Sequence, residues 1–114
     1  MQTLLEKAYI DSDELEKLLN ARKAGEIDFL LIDVREEMEY EDAHIDGVDH
    51  LKPTSVFQQW AEALLNETKE RHVVFTCRTG SRSGQVQQVF AQNGHCKTLN
   101  HIGGILSYRG NVVG

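Results

Sequence analysis

The chain has 114 residues, of which 40% are hydrophobic and 26% are charged, and it carries a formal net charge of −6 at pH 7. This length suits one globular domain over residues 1–114, and no apolar run reaches the roughly 18 residues that span a bilayer. With no apolar leader segment and no Lys/Arg cluster for phosphate binding, the sequence predicts a soluble, cytoplasmic protein that binds neither membrane nor nucleic acid.

The N-terminal part of the chain predicts a helix, a strand and a second, short helix. Asp11 stands three residues before Glu14, which is capping-box spacing, and leucines at helical intervals follow until Gly25. The apolar run DFLLIDV (28–34) is typical of a strand that is covered on both faces. The acidic stretch REEMEYEDAHIDG (35–47) predicts a short helix that ends at its last glycine.

The remaining elements continue this alternation. Residues 54–68 after the proline place apolar side chains at helical spacing, and HVVFTC (72–77) predicts a second buried strand. Residues 83–94 predict another helix, and CKTLNHIGG (96–104) predicts a last short strand. Strands that alternate with helices of about ten residues indicate an α/β fold with a parallel sheet.

Cys77 ends the second buried strand and is followed directly by a polar loop and a helix. Ligands of open α/β sheets bind at this edge, where helix N-termini favour negative charge. We therefore expect a pKa for this thiol below the usual value of about 8.5. Arg78 and Arg82 add positive charge, and Gly80 allows the backbone N–H groups to turn inward as an anion nest. The alternative is a structural cysteine in the core, but that role does not require such a loop.

The charges are distributed unevenly along the chain. All 18 acidic residues lie between Glu6 and Glu70, whereas the segment from Arg71 to Gly114 contains five Lys and Arg residues and no acid. Because Cys77 lies in the acid-free segment, we expect a local positive potential that attracts a small anion to the thiol.

Three stretches resemble, in this order, the signatures of rhodanese-type sulfurtransferases. CRTGSRSG (77–84) resembles their active loop, LLIDVREEMEYEDAHIDGV (30–48) an upstream signature and LNHIGGILSY (99–108) a downstream one. The resemblance covers residues 10–111 and implies a single α/β domain with a central, mostly parallel sheet of about five strands and helices on both faces. The chain departs from the family pattern at four packing and turn positions, namely Ala43, Asp46, Val48 and Tyr108.

The resemblance also implies a site without cofactor or metal, in which Cys77 is the catalytic nucleophile. Arg78 would face the entrance and recognise the donor, and Arg82 would lie at the rim or in the framework. Asp33 would either pair with an arginine and brace the loop or cap the following helix. The implied active loop is Arg78, Thr79, Gly80, Ser81 and Arg82, and the implied supporting residues are Asp33, Arg35 and Ser83.

The implied reaction is transfer of a sulfane sulfur by double displacement. The Cys77 thiolate takes the outer sulfur of a small anionic donor, either thiosulfate or a persulfide, and becomes a persulfide itself. A thiol or cyanide then accepts that sulfur, and a protein sulfur acceptor is also compatible with the sequence.

Two other functions fit the same kind of fold. Phosphatases and arsenate reductases of related fold place an arginine six residues after the cysteine to wrap a tetrahedral anion. Here Ser83 occupies that position and Arg82 comes one residue earlier, which favours sulfur chemistry. Non-catalytic interaction modules of rhodanese-like fold typically lack the cysteine, whereas Cys77 is present.

The remaining thiol and the histidines receive secondary interpretations. Cys96 is interpreted as a core residue, with a resolving thiol for a Cys77 persulfide as the alternative. The two cysteines show neither a CxxC motif nor zinc-ligand spacing, so no metal site is expected. His44 is interpreted as a turn residue with a structural role. His72, His95 and His101 raise the possibility of a Cys/His protease, in which a histidine acts as the base. Nothing in the sequence supports this function, and sulfane transfer needs no histidine base.

Overall fold

The computed structural model describes residues 1–114, which form six α-helices and seven short strands. No helix combines the length and the apolar character that crossing a bilayer requires. The helices are α1 Gln2–Leu5, α2 Ser12–Lys23, α3 Glu37–Asp42, α4 Phe57–Thr68, α5 Ser81–Gln92 and α6 Gly104–Ser107. The strands are β1 Tyr9–Ile10, β2 Leu30–Asp33, β3 His44–Ile45, β4 His50–Leu51, β5 Val73–Thr76, β6 Thr98–His101 and β7 Val112–Val113.

Five strands form the central sheet in the order β1-β6-β5-β2-β4. All four neighbouring pairs are parallel, which confirms the predicted α/β fold with a parallel sheet of about five strands. Strand β5 lies at the centre, so the residue that follows it, Cys77, emerges at the middle of the carboxyl edge. Strands β1 and β4 have two residues each and are too short to show a periodic pattern in the sequence.

A hydrophobic core lies on each face of the sheet, because alternate side chains of the same strands point to opposite faces. Leu31 and Val74 pack with α2 on one face, and Ile32 and Phe75 pack with α4 and α5 on the other. Helices therefore cover both faces, as predicted. The side chains that the helices bury in these cores are Leu5, Leu15, Leu18, Leu19, Trp60, Leu64, Val86 and Phe90.

The capping box predicted at the start of α2 is present. The Asp11 carboxylate accepts a hydrogen bond from the Glu14 N–H at 2.8 Å, and the Glu14 carboxylate accepts one from the Asp11 N–H at 3.0 Å. The helix ends at Lys23, and Gly25 follows in the left-handed region with φ of +79°. Both ends of this helix are thus determined by residues within one turn of it.

The short acidic helix was predicted to continue to Gly47, and this was wrong. Helix α3 ends at Asp42, because Ala43 is extended and His44–Ile45 pairs antiparallel with Val112–Val113. The backbone groups of this segment are therefore satisfied by the C-terminal end of the chain. His44 has the expected structural role, since its ring stacks on Tyr40 with centroids 3.8 Å apart.

Helix α5 begins two residues earlier than predicted, at Ser81. Gly80 precedes it with φ of +96°, and the Gly84 N–H donates to the Gly80 carbonyl at 3.0 Å. The first turn of the helix therefore lies inside the polar loop and directs its free N–H groups toward Cys77.

Candidate active site

Cys77 lies in a cradle formed by the loop and by the first turn of α5. The residue is buried, with 1% of its surface exposed. Its Sγ accepts hydrogen bonds from the Gly80 N–H at 3.1 Å and from the Ser83 N–H at 3.4 Å. The Ser83 hydroxyl lies 3.3 Å from the same sulfur. Ser83, predicted as a supporting residue, therefore contacts the thiol directly.

These contacts shift the thiol toward its ionised form. Burial raises the pKa of Cys77, but hydrogen bonds from the Ser83 hydroxyl and from the N–H groups of Ser83, Gly80 and Thr79 outweigh it, so that the pKa lies below its ordinary value. The direction agrees with the expectation from the strand-loop-helix pattern. A thiolate is the nucleophilic form of cysteine.

The hydroxyl of Ser83 has one proton and two acceptors within reach. Asn100 Oδ1 lies 2.6 Å from Ser83 Oγ, and Asn100 Nδ2 donates to the Gly80 carbonyl at 3.1 Å, which fixes the orientation of the amide. Both contacts use the same hydroxyl proton, so Asn100 Oδ1 at 2.6 Å competes with the Cys77 sulfur at 3.3 Å for it. The net stabilisation of the thiolate by this hydroxyl is therefore smaller than that of an uncommitted donor.

Replacing Ser83 with alanine should raise the pKa of the Cys77 thiol, because a donor to the thiolate is lost. At neutral pH we expect alkylation by iodoacetamide to slow about threefold, which corresponds to less than one typical hydrogen bond. The matched control is Ser81→Ala, since the Ser81 side chain is exposed and makes no hydrogen bond to the sulfur. An equal change in both variants would show that the hydroxyl of Ser83 has no particular role.

Glycines allow β6 and α6 to pack against the loop. A Cβ at Gly80 would lie 3.1 Å from Gly103 N and 3.1 Å from the His101 carbonyl oxygen. The Ile105 N–H donates to the Cys77 carbonyl at 2.9 Å, and the Leu106 N–H donates to the Arg78 carbonyl at 3.1 Å. A Cβ at Gly104 would overlap the carbonyl oxygens of Arg78 and Cys77, so the second glycine of LNHIGG lets α6 hold the backbone of Cys77.

The two loop arginines have different surroundings. Both terminal nitrogens of Arg82 donate to the Glu39 carboxylate, at 2.7 and 2.9 Å. The hydrogen bond from Arg82 lowers the pKa of Glu39 to about 2, although burial opposes it. Arg82 is therefore a framework residue whose charge is matched, and its guanidinium is not free to wrap a tetrahedral anion. Arg78 is exposed and forms no ion pair.

Asp33 pairs with an arginine, as the family resemblance implied, but this pair does not contact the active loop, and Asp33 does not cap the following helix. Its carboxylate binds the guanidinium of Arg35 at 2.8 to 3.1 Å and also accepts the Arg35 N–H at 2.9 Å. Arg35 in turn donates to the Ala43 carbonyl at 2.7 Å. Helix α3 begins later and is capped by Glu36. The buried Asp33–Arg35 pair therefore fixes the segment after α3.

A groove of about 370 Å³ lies beside Arg78. Two of its lining side chains, Arg35 and Glu39, are already in ion pairs, so Arg78 is the cation free to meet a ligand. Arg82 does not add to this free charge, because it pairs with Glu39, and Asp42 lies in the same groove as Arg78. The lining residues are Arg35, Glu39, Asp42, Ala43, Arg78, Ile105, Leu106 and Val112.

Cys96 was interpreted as a core residue, and this was wrong because the residue is exposed. It lies in the turn before β6, at the amino edge of the sheet, whereas Cys77 follows the carboxyl end of β5. The strand length separates the two sulfurs by roughly 20 Å. Cys96 therefore cannot act as a resolving thiol within one chain.

No histidine side chain hydrogen-bonds to the Cys77 sulfur, so a Cys/His arrangement is absent. His95 is buried at the amino edge and hydrogen-bonds to Thr68 Oγ1 at 3.1 Å, and His101 is buried behind β5. Sequence reasoning assigned no role to Asn100 or Glu39, which position the loop. The sequence gives little indication of these roles, because Asn100 and Glu39 are distant along the chain from the loop residues that they contact.

Comparison with known proteins places this geometry in a family. The family model described as "Rhodanese-like domain" matches residues 11–111 of the chain. The chain is 32% identical to YtwF of Bacillus subtilis, named as a sulfurtransferase, over 82 residues that make up 72% of this chain and 75% of YtwF. It is also 35% identical over 82 residues to YrkF of the same organism, which is named as a sulfur carrier protein. The matched part makes up 42% of YrkF.

Solved structures show the same fold. A rhodanese-related protein from Thermoplasma volcanium superposes with a TM-score of 0.72 and 21% identity, covering 94% of this chain and 98% of the other. A rhodanese-like domain protein from Staphylococcus aureus superposes with a TM-score of 0.71 and 26% identity, covering 90% and 92%.

Proposed function

Because the chain belongs to the family of rhodanese-like domains, we propose that it transfers a sulfane sulfur from thiosulfate or a persulfide donor to a thiol or cyanide through a persulfide on Cys77. Sulfur transfer in general agrees with the names of its relatives. The observation that carries the proposal is the convergence of the Gly80 and Ser83 N–H groups on one buried sulfur at the carboxyl edge of the sheet.

The transfer proceeds in two displacements that need no cofactor. The Cys77 thiolate attacks the outer sulfur of thiosulfate, the sulfur-sulfur bond of the donor breaks, and sulfite leaves with the electron pair. The enzyme then carries a persulfide whose terminal sulfur is anionic. An acceptor thiolate or cyanide attacks that terminal sulfur and releases the Cys77 thiolate, with a persulfide or thiocyanate as product.

The cradle supports this chemistry because it stabilises negative charge in both steps. The N–H groups that bind the thiolate also face the added sulfur, and the amino end of α5 contributes its dipole. Arg78 is the cation at the adjoining groove, so it would meet the anionic donor. Arg82 would act only on the framework through Glu39.

Intact mass spectrometry tests the proposal. After incubation with thiosulfate, the protein should gain the mass of one sulfur atom, and an added thiol should remove it. Glutathione persulfide and inorganic polysulfide serve as parallel donors, since they present the same type of sulfur. If no donor adds sulfur to the reduced protein, the proposed function is wrong.

Persulfide formation from thiosulfate should slow as salt is added. Raising ionic strength from about 0.01 to 0.15 M shortens the Debye length from roughly 30 to 8 Å, which screens Arg78 from the approaching dianion. We expect a fall of about twofold to threefold in the second-order rate, because one free cation acts beside Asp42. Stopped-flow or quenched mass measurements at several salt concentrations provide the rate.

Arg78→Ala should lower this rate at low salt and flatten its salt dependence. Arg109→Ala is the matched control, since Arg109 is an exposed cation of the same acid-free segment that does not line the groove. The control should keep the wild-type profile. A flat profile in the wild type, or an unchanged profile in Arg78→Ala, would remove Arg78 from donor recognition.

A further inference from the structure

A chain of hydrogen bonds runs behind the active loop from β5 to α6. His101 is fully buried, and its ring nitrogens contact Thr76 Oγ1 and Ser12 Oγ, each at 2.8 Å. Ser12 Oγ lies 2.6 Å from Ser107 Oγ, and the Ser107 hydroxyl donates to the Gly104 carbonyl at 3.2 Å. Four side chains from three separate parts of the sequence thus form one continuous chain.

The number of available protons sets the direction of these hydrogen bonds. The arrangement that gives every hydroxyl proton an acceptor has Ser107 donating to the Gly104 carbonyl, Ser12 donating to Ser107, and Ser12 accepting from His101 Nε2. His101 Nδ1 is then unprotonated and accepts from the Thr76 hydroxyl. Every hydroxyl and both ring nitrogens are satisfied when the imidazole is neutral. Burial lowers the pKa of His101 to about 4, which keeps the ring neutral near pH 7.

Both ends of this chain lie beside the nucleophile. Thr76 is the residue immediately before Cys77. At the other end, α6 donates from Ile105 to the Cys77 carbonyl and from Leu106 to the Arg78 carbonyl. The backbone of Cys77 is therefore held between two elements that His101 connects.

We propose that His101 is a positioning residue for sulfur transfer, which connects Thr76 to α6 through Ser12 and Ser107 and so keeps Cys77 aligned with the N–H groups of its cradle. The expected effect of His101 on sulfur transfer rests on the proposed function. Its expected effect on the reactivity of the Cys77 thiol does not. An apolar residue could fill the same volume, yet it would leave the buried hydroxyls of Thr76 and Ser12 without this partner.

Two variants break the chain in different places. His101→Asn keeps an acceptor for Thr76 and removes the donor to Ser12, whereas Ser107→Ala removes the hydroxyl that reaches α6. Ser107 is exposed, so its variant should fold. The control is His95→Asn, which alters the other fully buried histidine, at the opposite edge of the sheet.

The experiment measures the pH dependence of Cys77 alkylation by iodoacetamide, kcat and KM for thiosulfate, and the melting temperature. His101→Asn and Ser107→Ala, which interrupt the hydrogen bonds, should each shift the alkylation profile to higher pH. Each should also lower kcat about fivefold to tenfold with little change in KM. His95→Asn should lower the melting temperature but leave the alkylation profile in place. If the variants change only the melting temperature, or if His95→Asn shifts the thiol equally, the positioning role is wrong. If the wild type transfers no sulfur, the proposed function fails, and the alkylation profiles still decide the role of His101.

Discussion

Cys77→Ser should abolish persulfide formation, whereas Cys96→Ser should leave the rate within about twofold of the wild type. The Cys77 sulfur accepts hydrogen bonds from two N–H groups, and these contacts hold its pKa below the ordinary value, whereas the Cys96 side chain is exposed. A serine hydroxyl at this position would not ionise at neutral pH and is a far weaker nucleophile, so the loss should be roughly 10³-fold or more. Sulfite release from thiosulfate and the protein mass after reaction measure the effect.

The Cys96 variant is also the control for non-specific sulfur addition. Cys96 is exposed, so polysulfide can reach its thiol. If sulfur is added to Cys77→Ser but not to the variant that carries both Cys77→Ser and Cys96→Ser, the added sulfur is on Cys96. Equal loss of the thiosulfate reaction in both single variants would instead require transfer between two chains, since the two sulfurs are far apart within one.

Gly104→Ala should destabilise the protein and disorganise the active loop together. Gly104 has φ of +60°, and an added Cβ would lie 2.3 Å from the Arg78 carbonyl oxygen and 2.5 Å from that of Cys77. Both oxygens belong to backbone that cannot move without displacing Cys77. We expect a loss of about 3 kcal/mol in the free energy of unfolding and a fall of about tenfold or more in sulfur transfer.

Gly25→Ala separates backbone strain from the clash. Gly25 also has a positive φ, +79°, but an added Cβ there would meet nothing within 4 Å. This control should cost about 1 kcal/mol and leave sulfur transfer unchanged. Urea denaturation and sulfite release measure the two effects. If Gly104→Ala behaved like Gly25→Ala in both assays, the packing of α6 on the loop would have no consequence for the site.

Short-range patterns were sufficient to predict the elements that place Cys77. The capping box at Asp11 and Glu14 involves residues of one helical turn, and the strands LLID and VVFT are apolar runs that need burial on both faces. The polar loop after VVFT contains its own glycine for the left-handed turn at Gly80. Each of these features is encoded within a few residues, so the sequence predicts it without reference to distant parts of the chain.

The partners of the charged side chains could not be predicted in this way. Arg82 was expected to add positive charge at the thiol, but it is neutralised by Glu39, 43 positions away. Asp33 was expected to pair with an arginine and brace the loop or to cap a helix; it does pair with an arginine, but the partner is Arg35 and the pair lies outside the loop. An ion pair depends on which surfaces meet after folding, and neither composition nor spacing contains that information.

The sequence by itself determined the α/β fold, the position of Cys77 at the end of the central strand and the polar, glycine-containing loop that follows it, because these depend on local hydrogen bonds and on apolar periodicity. Tertiary structure alone decided how that loop is held. The hydrogen bonds from α6 to Cys77 and Arg78, the amide of Asn100 on Gly80, and the buried contacts of His101 join segments that are distant along the chain. Such contacts form only when β6 pairs beside β5 and brings the C-terminal segment to the carboxyl edge of the sheet.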